Sequence, residues 1–219
     1  MSLFEILSKE YDLVVNPIEK FDLVDVAHYF DEEEDKYKHT LGVAAQMKAL
    51  VEQLDSTEEE IYELMQIAYL HDIGHSRRVK SRGHYALDGA IFALEKALGE
   101  DVALAIMFHT AAYGEAKYLS TSIKRIYNEA KVLLDQNEKV KCYVELITYC
   151  DLHTEEDGKP TTMIRRVFKM LARSEKTSPT YKNIKSHKRY FKHLTKKVRM
   201  RVVVEKNFFE GTIDGIRAK

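Results

Sequence analysis

Apolar residues recur at helical spacing along most of the chain, and few residues interrupt them. Between positions 32 and 54 they form one continuous stripe, made of Leu41, Ala44, Ala45, Leu50 and Leu54. Only three prolines and nine glycines occur in 219 residues, so signals that break helices are rare. The pattern predicts an all-α protein.

Polar residues between the apolar runs predict where helices begin. A short helix is expected after Ser2, and a second one after Pro17, because proline suits the first turn of a helix. Ser56 and Glu59 form a capping-box pattern, in which each side chain bonds the other residue's backbone N–H. This pattern predicts the start of a helix that ends near position 71.

The rest of the chain continues the helical spacing. After a basic loop at 73–83, helices are predicted at 84–98, 100–110, 120–135, 138–152, 161–174 and 180–208. Gly99 is expected to end the first of these, as glycine often does at a helix C-terminus. EEDGKP at 155–160 is the clearest linker, and RVVVEK at 201–206 fits a helix or a strand.

Length and composition restrict the class of protein. A chain of this length buries roughly 70% of its unfolded surface, so its stability requires no disulfide or structural metal. Cys142 and Cys150 lie about 12 Å apart along a predicted helix, too far for a disulfide, which fits a reducing compartment. No signal-peptide pattern is present, and the longest apolar runs, such as 102–108, are too short to cross a bilayer. We therefore expect a soluble, cytoplasmic protein with no membrane partner.

The net charge of −1 conceals an uneven distribution of charge. Residues 1–60 contain sixteen acidic and five basic side chains, whereas residues 176–201 contain ten Lys or Arg and no acid. Such blocks are typical of solvated helix faces. The basic block could attract phosphates or nucleic acid, but no nucleic-acid-binding motif accompanies it. Nucleic acid is therefore not an expected partner.

Several histidines and aspartates lie in, or at the ends of, segments that otherwise face the core. The candidates for a functional site are His39, His71, Asp72, His84, His109 and Asp151. A buried carboxylate or imidazole is unfavourable unless it is paired or binds a metal. His28, His187 and His193 have no such context and are interpreted as ordinary core or surface residues.

Three motifs together resemble the HD-domain superfamily of metal-dependent phosphohydrolases. They are YKHTLGV at 37–43, AYLHDIGH at 68–75 and LITYCDLH at 146–153. The resemblance implies an HD-domain helical bundle with an additional C-terminal helical extension. It divides the chain into N-terminal helices at 1–30, a metal-binding core at 31–155 and the extension at 156–219.

Two further motifs, HYALDGA at 84–90 and AIMFHT at 105–110, resemble the two-metal branch of that superfamily. In that branch the ligand set looks like that of the HD-type symmetrical diadenosine-tetraphosphate hydrolases. The first metal would be held by His39, His71, Asp72 and Asp151. Asp72 would bridge to a second metal held by His84 and His109.

The expected ligands also indicate the metal and its chemistry. Imidazole and carboxylate without thiolate suit divalent transition metals, Fe or Mn first and then Co, Ni or Zn. Two such ions can activate a shared hydroxide for attack on a phosphoryl group. Attack by metal-bound hydroxide is thus the mechanism that the resemblance implies, with Asp72 as a catalytic carboxylate.

The loop after the His-Asp pair supplies candidate phosphate ligands. Arg77, Arg78, Lys80 and Arg82 follow Asp72 within ten residues, and Lys117 is a further candidate. Arginine binds phosphate oxygens through a rigid fork of N–H groups. His75 is a candidate to donate a proton to the leaving group or to hydrogen-bond the substrate.

Departures from known subfamilies leave the substrate open. No acid lies between Ile73 and Leu87, which disfavours the guanosine-tetraphosphate hydrolases and the 5′-deoxynucleotidases. The expected substrate is a small phosphorylated, nucleotide-like molecule. The helix at 120–135 and the extension at 156–219 look additional to the diadenosine-type enzymes, and both are candidates for a homodimer contact.

Two alternatives to the hydrolase remain at this stage. The same six ligands resemble those of HD-type di-iron oxygenases, which cleave carbon–carbon or carbon–phosphorus bonds with O₂. A non-catalytic HD module that senses a ligand or scaffolds a partner is the third interpretation. Such a module would be marked by a missing ligand, and this sequence has all six.

Overall fold

The predicted helices form, and an all-α architecture is confirmed. The computed structural model describes residues 1–18, 21–31 and 34–217, with side chains except those of 23, 24 and 204–217. The helices are α1 (Leu3–Ser8), α2 (Leu23–Tyr29), α3 (Asp35–Val51), α4 (Glu58–Leu70), α5 (Tyr85–Glu95), α6 (Glu100–Phe108), α7 (Ala112–Ala116), α8 (Thr121–Gln136), α9 (Glu138–Leu152), α10 (Met163–Arg173) and α11 (Pro179–Arg217). Short 3-10 turns span Ile73–His75 and His109–Ala111. In the described ranges the only β-type pairing is an isolated bridge between Thr154 and Pro160.

The first and fourth helices begin with capping boxes. Ser2 caps α1 reciprocally with Glu5. At α4 the capping pair is Thr57 and Glu60, so the predicted pair one residue earlier is wrong. Thr57 has the extended backbone of an N-cap, and its Oγ1 accepts from the Glu60 N–H. Position 32, where the segment that carries the apolar stripe begins, lies outside the described residues.

Two other predicted helix boundaries are wrong. The helix predicted after Pro17 begins only at Leu23, and the described residues 18, 21 and 22 that precede it are not helical. Residues 12–18 have no regular secondary structure and lie along the end of α5, where the N–H groups of Asn16 and Ile18 bond backbone carbonyls. Gly99 does not end α5 but forms the N-cap of α6, with φ of 104°.

The C-terminal part is helical as predicted, and the RVVVEK segment is helical too. Helix α7 was not predicted from the sequence. No helix in the described part of the chain is both long and apolar enough for a membrane crossing. The proposed boundaries of the three regions, 1–30, 31–155 and 156–219, stay a prediction.

Helices α5 and α6 form the centre of the molecule. Every residue from Val102 to Phe108 is buried, as is every residue from Ala86 to Leu94. Helices α4 and α9 pack against α6, and α3 packs against α4 and α9. Helices α10 and α11 contact α9 through a second cluster that includes Val167 and Phe191. This packing brings residues from α3, α9, α10 and the end of α4 into one region.

Candidate metal centre

A buried histidine and aspartate group lies where α3, α4 and α9 meet. His39 is in α3, His71 caps the C-terminus of α4, and Asp151 is in the last turn of α9. One potential ligand atom from each lies within 4.8 Å of the others. Asp72 adjoins them, with Oδ2 3.9 Å from His39 Nε2 and 3.7 Å from His71 Nε2. These four residues are the expected ligands of the first metal, and the fold brings them together.

Backbone carbonyls fix the orientation of three histidines. Nδ1 of His39 donates to the Glu155 carbonyl at 2.9 Å, and Nδ1 of His71 donates to the Ala68 carbonyl at 2.8 Å. His109 donates in the same way to the Ile106 carbonyl at 2.6 Å. A carbonyl oxygen can only accept, so Nδ1 carries a proton in each ring, and in a neutral imidazole Nε2 then keeps a lone pair. Metal-binding histidines typically donate the N–H of the other ring nitrogen to a carbonyl or carboxylate in this way.

The Nε2 atom of His71 tests whether the site fits a cation. It is fully buried and has no hydrogen-bond partner among the described residues. A buried acceptor without a partner costs about 1–3 kcal/mol. His39 Nε2 lies 3.1 Å from Asp151 Oδ1, which in the neutral ring places a lone pair against a carboxylate oxygen. A bound cation relieves both arrangements, so the residues fit a divalent metal.

Protonation states favour metal binding at neutral pH. Burial lowers the pKa of His71 to about 4, against the opposing effect of Asp72, so the imidazole is neutral. Burial alone would raise the pKa of Asp72, but Lys36 and nearby histidines hold that pKa well below its usual range. The pKa of Asp151 is likewise low despite burial, because the Arg166 guanidinium stabilises its charge. Neutral imidazoles and ionised carboxylates are the forms that bind metals.

The two oxygens of Asp72 face different histidines. Oδ2 is directed towards His39 and His71, whereas Oδ1 lies 3.6 Å from His75 Nε2 and 4.0 Å from His109 Nε2. His109, an expected ligand of the second metal, therefore contacts the opposite side of the same carboxylate. It is not part of the three-residue group of His39, His71 and Asp151.

His84 is held by a tyrosine that the sequence did not single out. The Tyr127 hydroxyl donates to the Met107 carbonyl at 3.0 Å and therefore accepts from His84 Nδ1 at 2.9 Å. His84 Nε2 then keeps a lone pair and, in the described structure, has no hydrogen-bond partner. Burial lowers the pKa of His84 to about 4, with a contribution from His109. His84 thus has the donor state of a metal ligand but lies outside the three-residue group.

Two close backbone approaches position these side chains. A Cβ on Gly42 in α3 would collide with the Gly158 carbonyl, so only glycine lets the 154–160 loop lie against α3. That contact places the Glu155 carbonyl on His39. A Cβ on Gly74 would collide with the Tyr85 carbonyl, and this approach stacks the His75 ring on Tyr85 at 4.3 Å.

A cavity of about 370 Å³ opens onto the ligands. Its wall includes Asp72, Asp151 and His75, together with the cationic side chains of Lys36 and Arg166. Lys36 Nζ lies 2.7 Å from Asp72 Oδ2. A larger apolar groove of about 610 Å³ lies between α10 and α11 beside His153 and includes none of these ligands.

The basic residues predicted to bind substrate do not line this cavity. Arg78 bonds the His28 carbonyl, and Arg82 pairs with the buried Asp88 at 3.5 Å. Lys117 lies over the Tyr113 ring. Arg77 and Lys80 are exposed on the same loop.

The cationic residues of the cavity were missed at the sequence level. Lys36 lies in the first turn of α3 and directly follows an acidic stretch, so its sequence context did not indicate a cationic site. Arg166 gave a usable signal. It is three residues after Met163 and four before Met170, on the face of α10 that also carries Val167. A charged residue on an otherwise apolar helix face requires a buried partner, and Asp151 is that partner.

The fold and the site define an all-α protein with a buried His/Asp centre suited to a divalent metal. The family model described as HD domain matches residues 37–147, about half of the chain. The chain therefore belongs to the HD domain family, whose members are mostly metal-dependent phosphohydrolases. No curated protein and no solved structure matches the chain significantly.

Proposed function

We propose that the protein is a metal-dependent phosphohydrolase that cleaves a phosphoester or phosphoanhydride of a small phosphorylated metabolite or nucleotide. One observation carries this proposal. The buried group of His39, His71 and Asp151 adjoins a cavity in which Lys36 and Arg166 contact the neighbouring carboxylates. Donors for a transition metal and cations for a phosphoryl group therefore occur side by side.

His39, His71, Asp72 and Asp151 would hold the first divalent ion, with Fe or Mn as the metals that these donors suit. When bound, such an ion polarises a phosphoryl oxygen and lowers the pKa of water. The protein's own part is to orient the donors through backbone carbonyls and to keep Asp72 ionised beside Lys36. The Lys36 ammonium also neutralises charge on a phosphoryl group in the cavity.

We further propose a second ion between Asp72, His84 and His109. Two observations support it: Asp72 presents its two oxygens to different histidines, and the buried Nε2 of His84 lacks a partner in the described structure. Replacing His84 with alanine should reduce the bound metal from two ions per chain to one. An unchanged stoichiometry of two would contradict this assignment.

His75 is proposed to hydrogen-bond the substrate or the attacking water. Its ring is stacked on Tyr85 and lines the cavity. Partial desolvation lowers the pKa of His75, although Asp72 acts in the opposite direction. The imidazole is then neutral near pH 7, which suits a hydrogen-bonding role better than donation of a proton from a cationic ring.

The experiment is phosphate release by metal-reconstituted protein. Protein stripped with a chelator and reloaded with Mn²⁺ or, without oxygen, Fe²⁺ should release inorganic phosphate from at least one member of a panel of phosphomonoesters and nucleotides. Asp151→Asn should abolish this release. Oxygen consumption with cleavage of a carbon–carbon or carbon–phosphorus bond, and no phosphoester hydrolysis, would instead identify a di-iron oxygenase and contradict the proposal.

A further inference from the structure

Arg166 lies in α10, beyond the segment 37–147 that the HD domain model matches. Its side chain is only 4% exposed, yet it lines the cavity beside the ligands. Nη2 lies 3.3 Å from Asp151 Oδ1 and 3.4 Å from His39 Nε2. The C-terminal extension thus brings a guanidinium directly to the candidate metal centre.

The hydrogen-bonding groups of Arg166 are only partly used. Nε and Nη1 are buried and have no acceptor among the described residues. An arginine that served only to pair with Asp151 would leave these N–H groups unpaired inside the protein, which is unfavourable. A planar guanidinium with free N–H groups matches the geometry of phosphate oxygens.

Lys36 also lines the cavity and contacts the other carboxylate of the site. Its Nζ lies 2.7 Å from Asp72 Oδ2, while Arg166 is bonded to Asp151. A metal ion would take the acceptor atoms of His39 and Asp151 that Nη2 now contacts. An anion beside that metal could then accept from Nη2 and from one of the two unpaired N–H groups.

We propose that Arg166 and Lys36 form the subsite that holds the phosphoryl group of the substrate. The subsite is completed by the C-terminal extension and does not use the basic loop at 77–82. This inference rests on the proposed phosphohydrolase function. The ligand class is a terminal phosphoryl group on a small molecule, because the cavity of about 370 Å³ is at the lower end of the range for ligand pockets.

The test uses inorganic phosphate as the probe and compares neighbouring arginines. Arg165 precedes Arg166 on α10, is 68% exposed at its side chain and pairs with Glu155, so Arg165→Met is the matched control. Calorimetric titration of the metal-loaded full chain measures phosphate binding without requiring turnover. Metal content and circular dichroism are measured for each variant.

Arg166→Met should weaken phosphate binding about 10- to 100-fold, as expected for lost hydrogen bonds to a charged group. Arg166→Lys keeps the charge but loses the fork of N–H groups. Its affinity for phosphate should lie between those of Arg166→Met and the wild type. Arg165→Met should change the affinity less than twofold, a limit of about 0.4 kcal/mol. If Arg166→Met fails to fold, Arg166→Lys alone decides the result.

Three results would overturn the subsite. The first is wild-type protein that does not bind phosphate, and the second is Arg166 variants that bind it with wild-type affinity. The third is loss of metal from both Arg166 variants, because the residue would then act only through Asp151 and His39. Phosphate binding that depends on Arg166, in protein that hydrolyses no ester, would support the subsite and refute the proposed function separately.

Discussion

Nε2 of His39 on α3 lies 3.1 Å from Oδ1 of Asp151 on α9, although the two residues are 112 positions apart in the chain. The Glu155 carbonyl holds the proton of His39 on the opposite nitrogen. In the neutral form of the ring, the contact places a lone pair against a negative charge. Arg166 Nη2 lies 3.3 Å from Asp151 Oδ1 and 3.4 Å from His39 Nε2, and a metal ion between the two atoms would take its place.

The 154–160 loop should control both stability and metal affinity through Gly42. A Cβ at this position would collide with the Gly158 carbonyl and move the loop that carries the Glu155 carbonyl. We expect Gly42→Ala to lower the free energy of unfolding by about 1–3 kcal/mol, as overpacking does. The affinity for the first metal should fall as well, because His39 loses its hydrogen bond to the Glu155 carbonyl. Chemical denaturation and metal titration measure the two effects.

Gly83→Ala provides the control for that substitution. Gly83 has φ of 83°, but a Cβ there would meet no atom within 4 Å. Gly83→Ala should therefore lower the free energy of unfolding only by the strain of a left-handed backbone, about 1 kcal/mol. It should leave the metal affinity unchanged. Equal metal affinities for Gly42→Ala and the wild type would show that the loop contact does not position His39.

The N-terminus of α4 gives a test of local structure. Thr57 Oγ1 accepts from the Glu60 N–H, whereas the sequence pattern favoured Ser56 as the cap. Thr57→Ala should lower the free energy of unfolding by about 1 kcal/mol, as loss of an N-cap does. Ser56→Ala should have little effect. Urea denaturation of the two variants compares them directly, and a larger loss for Ser56→Ala would refute the assigned cap.

Stability of the metal-free protein should fall as the pH is lowered from about 6.5 to about 4. Burial lowers the pKa of both His71 and His84 to about 4 in the folded chain, whereas an unfolded histidine titrates near 6.5. The unfolded state therefore binds more protons in this window. Each histidine contributes a slope of up to about 1.4 kcal/mol per pH unit.

Urea denaturation of chelator-treated protein at several pH values between 7.5 and 4.5 measures this slope. His84→Asn keeps an N–H group that can donate to Tyr127 but removes the titrating ring. Its stability should depend less steeply on pH than that of the wild type. Parallel pH dependences for the two proteins would show that His84 does not titrate as described.

The helical class was predicted from local apolar spacing, and the order of the candidate ligands from motifs that resemble the HD superfamily. His71 and Asp72 end a helix whose apolar spacing is plain, and the family motif places His39 and Asp151 around them. The structure then brings these residues together. The choice of Thr57 over Ser56 depended on one residue of backbone register, which the capping pattern alone does not determine.

The cationic residues of the cavity could not be predicted in the same way. Arg78 is six residues from Asp72 in the chain, yet the turn at Ile73–His75 directs its side chain to the His28 carbonyl. Arg166 is 15 residues from Asp151 and reaches it only because α10 packs against α9. Distance along the chain was thus a poor guide to distance in the fold.

The metal content of purified protein tests the central claim most directly. His71→Ala removes a ligand whose Nε2 is buried and unpaired within the described structure. His153→Ala is the matched control, because His153 is also buried but its ring stacks on Tyr149 and its Nε2 faces Arg199. Mass spectrometry of metals, with circular dichroism to verify folding, compares both with the wild type.

At least one transition-metal ion per chain is expected in the wild type and in His153→Ala. We expect that ion to be lost from folded His71→Ala. Less than one ion per chain in wild-type protein reloaded with Mn²⁺ or Fe²⁺, or full retention of metal by His71→Ala, would contradict a metal centre built on His39, His71, Asp72 and Asp151.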